Sequence, residues 1–131
     1  MVRDLSVEFG DGAGKIWVTL SQNGVLRKDD LISFAKLNDE EFQAGVGWLA
    51  RENKIYMVDD GSFKLGFTNL TNEIGSQAGR LWRILDIWGE ADFVSLRRLS
   101  DLSEAYVYRA LGWLAKEGKI FVSDDDKFCL K

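Results

Sequence analysis

There is no histidine in this chain of 131 residues, and only one cysteine, Cys129. The first absence removes imidazole bases, histidine-containing triads and the usual zinc sites together. The second excludes an intramolecular disulfide and any cysteine-cluster metal site. Cys129 lies between Phe128 and Leu130, a strand-like setting in which a free thiol is expected to be buried and inert. No apolar run approaches the roughly 18 residues of a membrane span. The start, "MVRDLS", carries no stretch of signal-peptide length, so a cytoplasmic address is the expectation. An excess of basic charge is missing as well: the net charge is −4 and the pI about 4.9. No set of paired carboxylates stands out, and no glycine-rich phosphate loop follows a strand. A noncatalytic role without cofactor or metal is expected, and nothing points to a small-molecule ligand.

What the chain does have is a repetition. "GWLARENKI" begins at Gly47 and "GWLAKEGKI" at Gly112, an offset of 65 residues. The same offset aligns Val7–Gly66 on Asn72–Lys131 without a gap, and about a third of the aligned positions are identical. Gly10, Gly14, Trp17, Leu20 and Gly24, for example, return as Gly75, Gly79, Trp82, Leu85 and Gly89. Such self-similarity marks a duplicated structural unit. The organisation read from it is repeat 1 over residues 7–66, a short linker over 67–71 and repeat 2 over 72–131.

Each repeat shows one order of elements. In the first, Ile16, Trp17 and Leu20 fall at helical spacing between Ala13 and Gln22, ahead of an Asn23-Gly24 stop. A second helix fits Lys28 to Lys36. In the third, Asn38 stands three residues before Glu41, a capping-box spacing, and Phe42, Val46 and Leu49 form the apolar stripe. "KIYMV", "DDGS" and "FKLG" then read as two short strands around a turn. The second copy runs "AGRLWRILDIWG", Phe93 to Asp101, a helix capped by Ser103, and a hairpin from "KIFVS" to "FCLK". The fold class is α+β, mainly α: a tandem duplication of a winged helix-turn-helix domain, with three helices and a β-hairpin wing per repeat.

The motifs "AGKIW", the glycine closing the first helix, and "GWLARENKI" before an acidic hairpin resemble a small prokaryotic, archaeal and bacterial, winged helix-turn-helix domain family of unknown function. The resemblance covers both repeats. It implies the fold and carries no established activity with it.

Two functional classes follow. A recognition helix that enters a phosphate-lined groove should be basic at its start, whereas the third helix of repeat 1 opens with Asp39, Glu40 and Glu41. Its outward face by periodicity is Glu40, Ala44, Gly47 and Arg51. The wing tips, Asp59-Asp60 and Asp124 to Asp126, are acidic too. Repeat 2 is less so, with net charge −1 against −3. Its third helix is expected to present Ala105, Arg109, Gly112 and Lys116, flanked by Tyr106 and Tyr108, with Arg97 and Arg98 on the helix before. Arg97, Arg98, Tyr106, Tyr108, Arg109 and Lys116 are therefore the candidate DNA contacts.

The second class is protein contact, by a partner or by self-association. Glycine inside a helix costs about 1 kcal/mol relative to alanine, so Gly47 and Gly112 call for another element at close range. That element is either Trp17 or Trp82 within the same repeat, or the other third helix, or a second chain. Gly47, Trp48, Gly112 and Trp113 are the candidate interface. A repeat of about 60 residues is marginal alone, and the linker "FTNLT" is short and partly apolar, so the repeats are expected to dock. The expected function is a noncatalytic tandem binding module acting through protein contacts in a transcription- or chromosome-associated setting. The alternative is a DNA-binding transcriptional regulator using the recognition helix of repeat 2, a reading that the acidic wings and net charge disfavour.

Overall fold

The computed structural model describes residues 3–131. Repeat 1 contains α1 (Leu5–Asn23), α2 (Lys28–Ala35), α3 (Asp39–Arg51), β1 (Ile55–Met57) and β2 (Phe63–Leu65). Repeat 2 contains α4 (Thr71–Trp88), β3 (Glu90–Ala91), α5 (Phe93–Ser100), α6 (Glu104–Lys116), β4 (Ile120–Val122) and β5 (Phe128–Leu130). Three helices and a hairpin wing recur in the same order.

Local chemistry sets the boundaries. The capping box of α3 forms as expected: the Asn38 side chain accepts from the Glu41 N–H at 2.8 Å, and Glu41 accepts from the Asn38 N–H at 2.9 Å. Ser103 caps α6 by accepting from the Tyr106 N–H. Gly24 and Gly89 end the first helices at φ of 80° and 82°, where a side chain would be strained.

Two features differ from the sequence reading. The first helix starts at Leu5 rather than Ala13, capped by Asp4, and its extra turns carry Leu5 and Phe9 into the interior. The wing of repeat 2 is also a three-stranded sheet in the order β3-β5-β4, because Glu90 and Ala91 pair with Cys129 and Phe128. In repeat 1 the same position forms only a bridge between Leu26 and Phe63.

The cores are shared between the repeats. Leu5 and Phe9 of α1 pack with Leu81, Leu85, Val107 and Leu111 of repeat 2. Reciprocally, Leu70 and Ile74, at the start of α4, pack with Ile16, Leu20, Phe42 and Leu49 of repeat 1. Leu5 and Phe9 are the counterparts of Leu70 and Ile74 at the 65-residue offset, so each first helix donates its opening turns to the other repeat's core. Leu70 of the linker is therefore a core residue, whereas Phe67 is exposed.

Candidate interaction surfaces

The contact that unites the repeats is the crossing of α3 over α6. At its centre a Cβ built on Gly47 would overlap the carbonyl oxygen of Arg109, and one built on Gly112 would overlap that of Ala44. Ala44 and Arg109 are themselves counterparts, so the contact is reciprocal, as a pseudo-twofold axis requires. The element closest to each glycine is the third helix of the other repeat, rather than Trp17 or Trp82. The middle of the face that periodicity placed outward, Ala44 and Gly47 on α3 and Arg109 and Gly112 on α6, is thus buried, while Glu40, Arg51 and Lys116 at its ends stay exposed. Helical spacing groups residues by face, but it does not tell solvent from a second helix.

Polar groups repeat the symmetry around the crossing. Arg51 pairs with Glu117 at 3.1 Å, and Lys116 with Glu52 at 3.9 Å. The Arg51 guanidinium stands 5.7 Å from the Trp113 ring centre, and the Lys116 ammonium 5.4 Å from that of Trp48. Each tryptophan then covers a glycine of its own first helix: Trp48 lies over Gly10 and Trp113 over Gly75. Gly47, Trp48, Gly112 and Trp113 all sit in or beside this seam.

Arg109 does not face solvent. It is 9% exposed, and its Nε donates to Gln43 Oε1 at 2.7 Å across the seam. Gln43 Nε2 in turn donates to Asp39 at 3.4 Å, and Lys28 pairs with Asp39 at 2.7 Å. Burial pulls the Arg109 pKa down, while Tyr106, Glu73 and Asp39 raise it. Sequence periodicity put Arg109 on a DNA-facing surface; the structure corrects this, because α3 occupies the space in front of α6.

The remaining DNA candidates scatter. Tyr108 is half-buried and stacks on Phe93 with ring centres 4.4 Å apart. Burial, followed by the nearby carboxylates of Glu40 and Glu104, pushes its phenol up to about 12. Tyr106 lies 5.4 Å from the Arg109 guanidinium, and Lys116 is engaged by Trp48 and Glu52. Tyr106 and Lys116 keep exposed surface but are held at the seam by these contacts, whereas Arg97 and Arg98, exposed on α5, form no ion pair among the described residues.

Beside Arg98 stands an apolar surface that the sequence reading missed. Ile87 and Val94 are more than 70% exposed, and Trp88 and Leu99 line one cleft of about 180 Å³ with Arg98 and Lys127. A comparison of the repeats holds the signal: Ile87, Trp88 and Val94 correspond to Gln22, Asn23 and Asp29. At these three positions repeat 2 is apolar and repeat 1 polar, whereas Leu99 corresponds to Phe34, which is exposed as well.

Among the described residues, no helix is long and apolar enough to cross a membrane, and no group of acidic, cysteine or histidine side chains could hold a metal ion. Cys129, in β5, is half-buried, and burial raises its thiol pKa.

Two copies of three helices and a wing, joined through their third helices, define a tandem winged helix-turn-helix protein. Residues 4–65 and 70–130 each match the family described as Winged helix-turn-helix domain (DUF2582), and the chain belongs to that family. Comparisons with curated proteins and with solved structures returned no match.

Proposed function

We propose that this protein is a noncatalytic binding module that acts through protein contacts, in a transcription- or chromosome-associated setting. One observation carries the reading: α3 and α6, the helices a winged helix-turn-helix protein would place in a DNA groove, are buried against each other around Gly47 and Gly112. Each cation at the end of the seam is already engaged by a carboxylate and a tryptophan. Acidic wing tips and a net charge of −4 add a field that repels phosphate. The exposed apolar residues Ile87, Trp88, Val94 and Leu99 supply a landing surface of the kind that protein partners cover.

The test is a titration of random duplex DNA at several salt concentrations. Neutralising phosphates makes affinity fall steeply as salt rises. The expected result is no appreciable binding at physiological salt. Tight binding with a steep salt dependence would overturn the reading and would require a DNA-binding surface other than α6, such as the face carrying Arg97 and Arg98.

A further inference from the structure

The Arg109 guanidinium is held by an identifiable set of groups. Gln43 accepts its Nε–H at 2.7 Å, the rings of Phe63 and Tyr106 lie 6.0 and 5.4 Å away, and the charge of Glu73 acts on it. At the 65-residue offset these four become Tyr108, Phe128, Glu41 and Glu8. All four line a single cavity of about 380 Å³ on the other side of the pseudo-twofold axis. The residue that would send a guanidinium into it is Ala44, the counterpart of Arg109, and its side chain stops at a methyl group. One half of the molecule therefore fills this slot from within with Arg109, and in the other half no side chain comes from the equivalent position, the Arg3 guanidinium on Glu8 and Asp126 being the cation that the chain itself brings to the lining.

We propose that this cavity binds an alkylguanidinium cation from outside the chain, in the place that Arg109 takes in the other half. The lining suits that chemistry. Phe9, Phe93 and Phe128 offer aromatic surface for a flat cation, and Glu8, Glu40, Glu41 and Asp126 supply carboxylates. Glu41 is committed to the α3 cap, and Glu8 and Asp126 are held by Arg3 at 2.9 and 3.5 Å. Glu40 enters no ion pair among the described residues and lies beside Tyr108. Arg3 lines the same cavity with its side chain half exposed, and competes with any incoming cation for Glu8 and Asp126. The ligand is either the arginine side chain of a partner protein or a small free guanidinium compound. The site does not depend on which macromolecule the module serves.

The experiment titrates the full chain with Nα-acetylarginine amide, with its neutral citrulline isostere, with Nα-acetyllysine amide, and with a short peptide carrying one arginine. Amide NMR shifts at Tyr108 and Phe128 report binding. The arginine compounds are expected to saturate, with the citrulline and lysine compounds at least about tenfold weaker. Glu40→Gln is expected to weaken binding by about tenfold, and Arg3→Ala to tighten it, an effect that structural damage would not produce. A peptide bound tenfold or more tightly than the amide would identify a partner's side chain as the source, and equal affinity would identify a free compound. Absence of saturable shifts at millimolar ligand would overturn the proposal. Equal binding of arginine and citrulline compounds would do so too, as would equal binding of arginine and lysine compounds. Indifference to both substitutions would place any binding elsewhere and overturn the assignment.

Discussion

Gly112 lies so close to Ala44 that any side-chain carbon on the glycine would overlap the Ala44 carbonyl oxygen. The partner atom is backbone, fixed in the middle of α3, and it cannot rotate away. Substitution to alanine at an exposed helical glycine stabilises by up to about 1 kcal/mol. At Gly112 or Gly47 the sign should invert: alanine or leucine is expected to destabilise by more than about 1 kcal/mol, on the scale of overpacking. Gly14, which has open space above it, is the internal control, and Gly14→Ala should stabilise. Urea denaturation of the three alanine variants measures all of this at once.

The exchange of Leu5 and Phe9 for Leu70 and Ile74 means that neither repeat closes its core alone. A fragment spanning residues 4–65 is expected to lack cooperative thermal unfolding or to pair with itself through the exposed α3. Extending it to residue 76 restores Leu70 and Ile74 and should recover part of the lost stability. Calorimetry with light scattering checks this, and a monomeric 4–65 fragment as stable as the whole chain would contradict it.

Removing Arg109 leaves Gln43 buried without its donor. Arg109→Ala is therefore expected to cost about 1–3 kcal/mol of stability, the range for an unsatisfied buried polar group. Arg97→Ala and Arg98→Ala, at exposed positions, should change stability by less than about 0.5 kcal/mol. Had α6 been a free recognition helix, Arg109→Ala would be as mild as the other two.

Two titrations bracket the pH dependence. The hydrogen bond from Lys28 chiefly lowers the Asp39 pKa below its ordinary 3.8. A depressed folded value contributes stability that is present above the unfolded pKa and lost as pH falls through the folded one. Asp39→Asn should accordingly flatten the acid limb of the stability profile below about pH 4. At the other end, the folded Tyr108 phenol is raised to about 12 from 10.0. Its contribution is complete below pH 10 and disappears as pH rises through 12. Ultraviolet titration should show one late-ionising tyrosine that Tyr108→Phe removes.

The duplication, the order of elements and the capping box were legible because they rest on local chemistry and on a fixed offset. Gly47 and Gly112 were also legible as close-approach positions, since a helix keeps glycine at a cost. The opening turns of α1 were not. Gly10, Gly12 and Gly14 dilute the helical signal ahead of Trp17, and the partners of Leu5 and Phe9 lie in the other repeat. Arg109 was misplaced for a related reason: an arginine on a helix face opposite the apolar stripe reads as solvated, and only the approach of α3 buries it. The strand β3 spans two residues, too few to leave a pattern.

The pairing of Arg3 with Val122 at 2.9 and 3.2 Å has a topological consequence. Lys131 bonds back to the Lys119 carbonyl as Gly66 does to that of Lys54, and Arg3, Asp4 and Lys131 border one hollow. At the 65-residue offset Lys131 corresponds to Gly66 and Arg3 to Thr68, the two residues that flank Phe67 in the linker. A covalent bridge between residues 131 and 3 would turn the molecule into a closed ring of two homologous arcs. Cutting that ring at the exposed Phe67 would give a circular permutant in which repeat 2 is translated first, with every core contact, the glycine crossing and the guanidinium slot preserved.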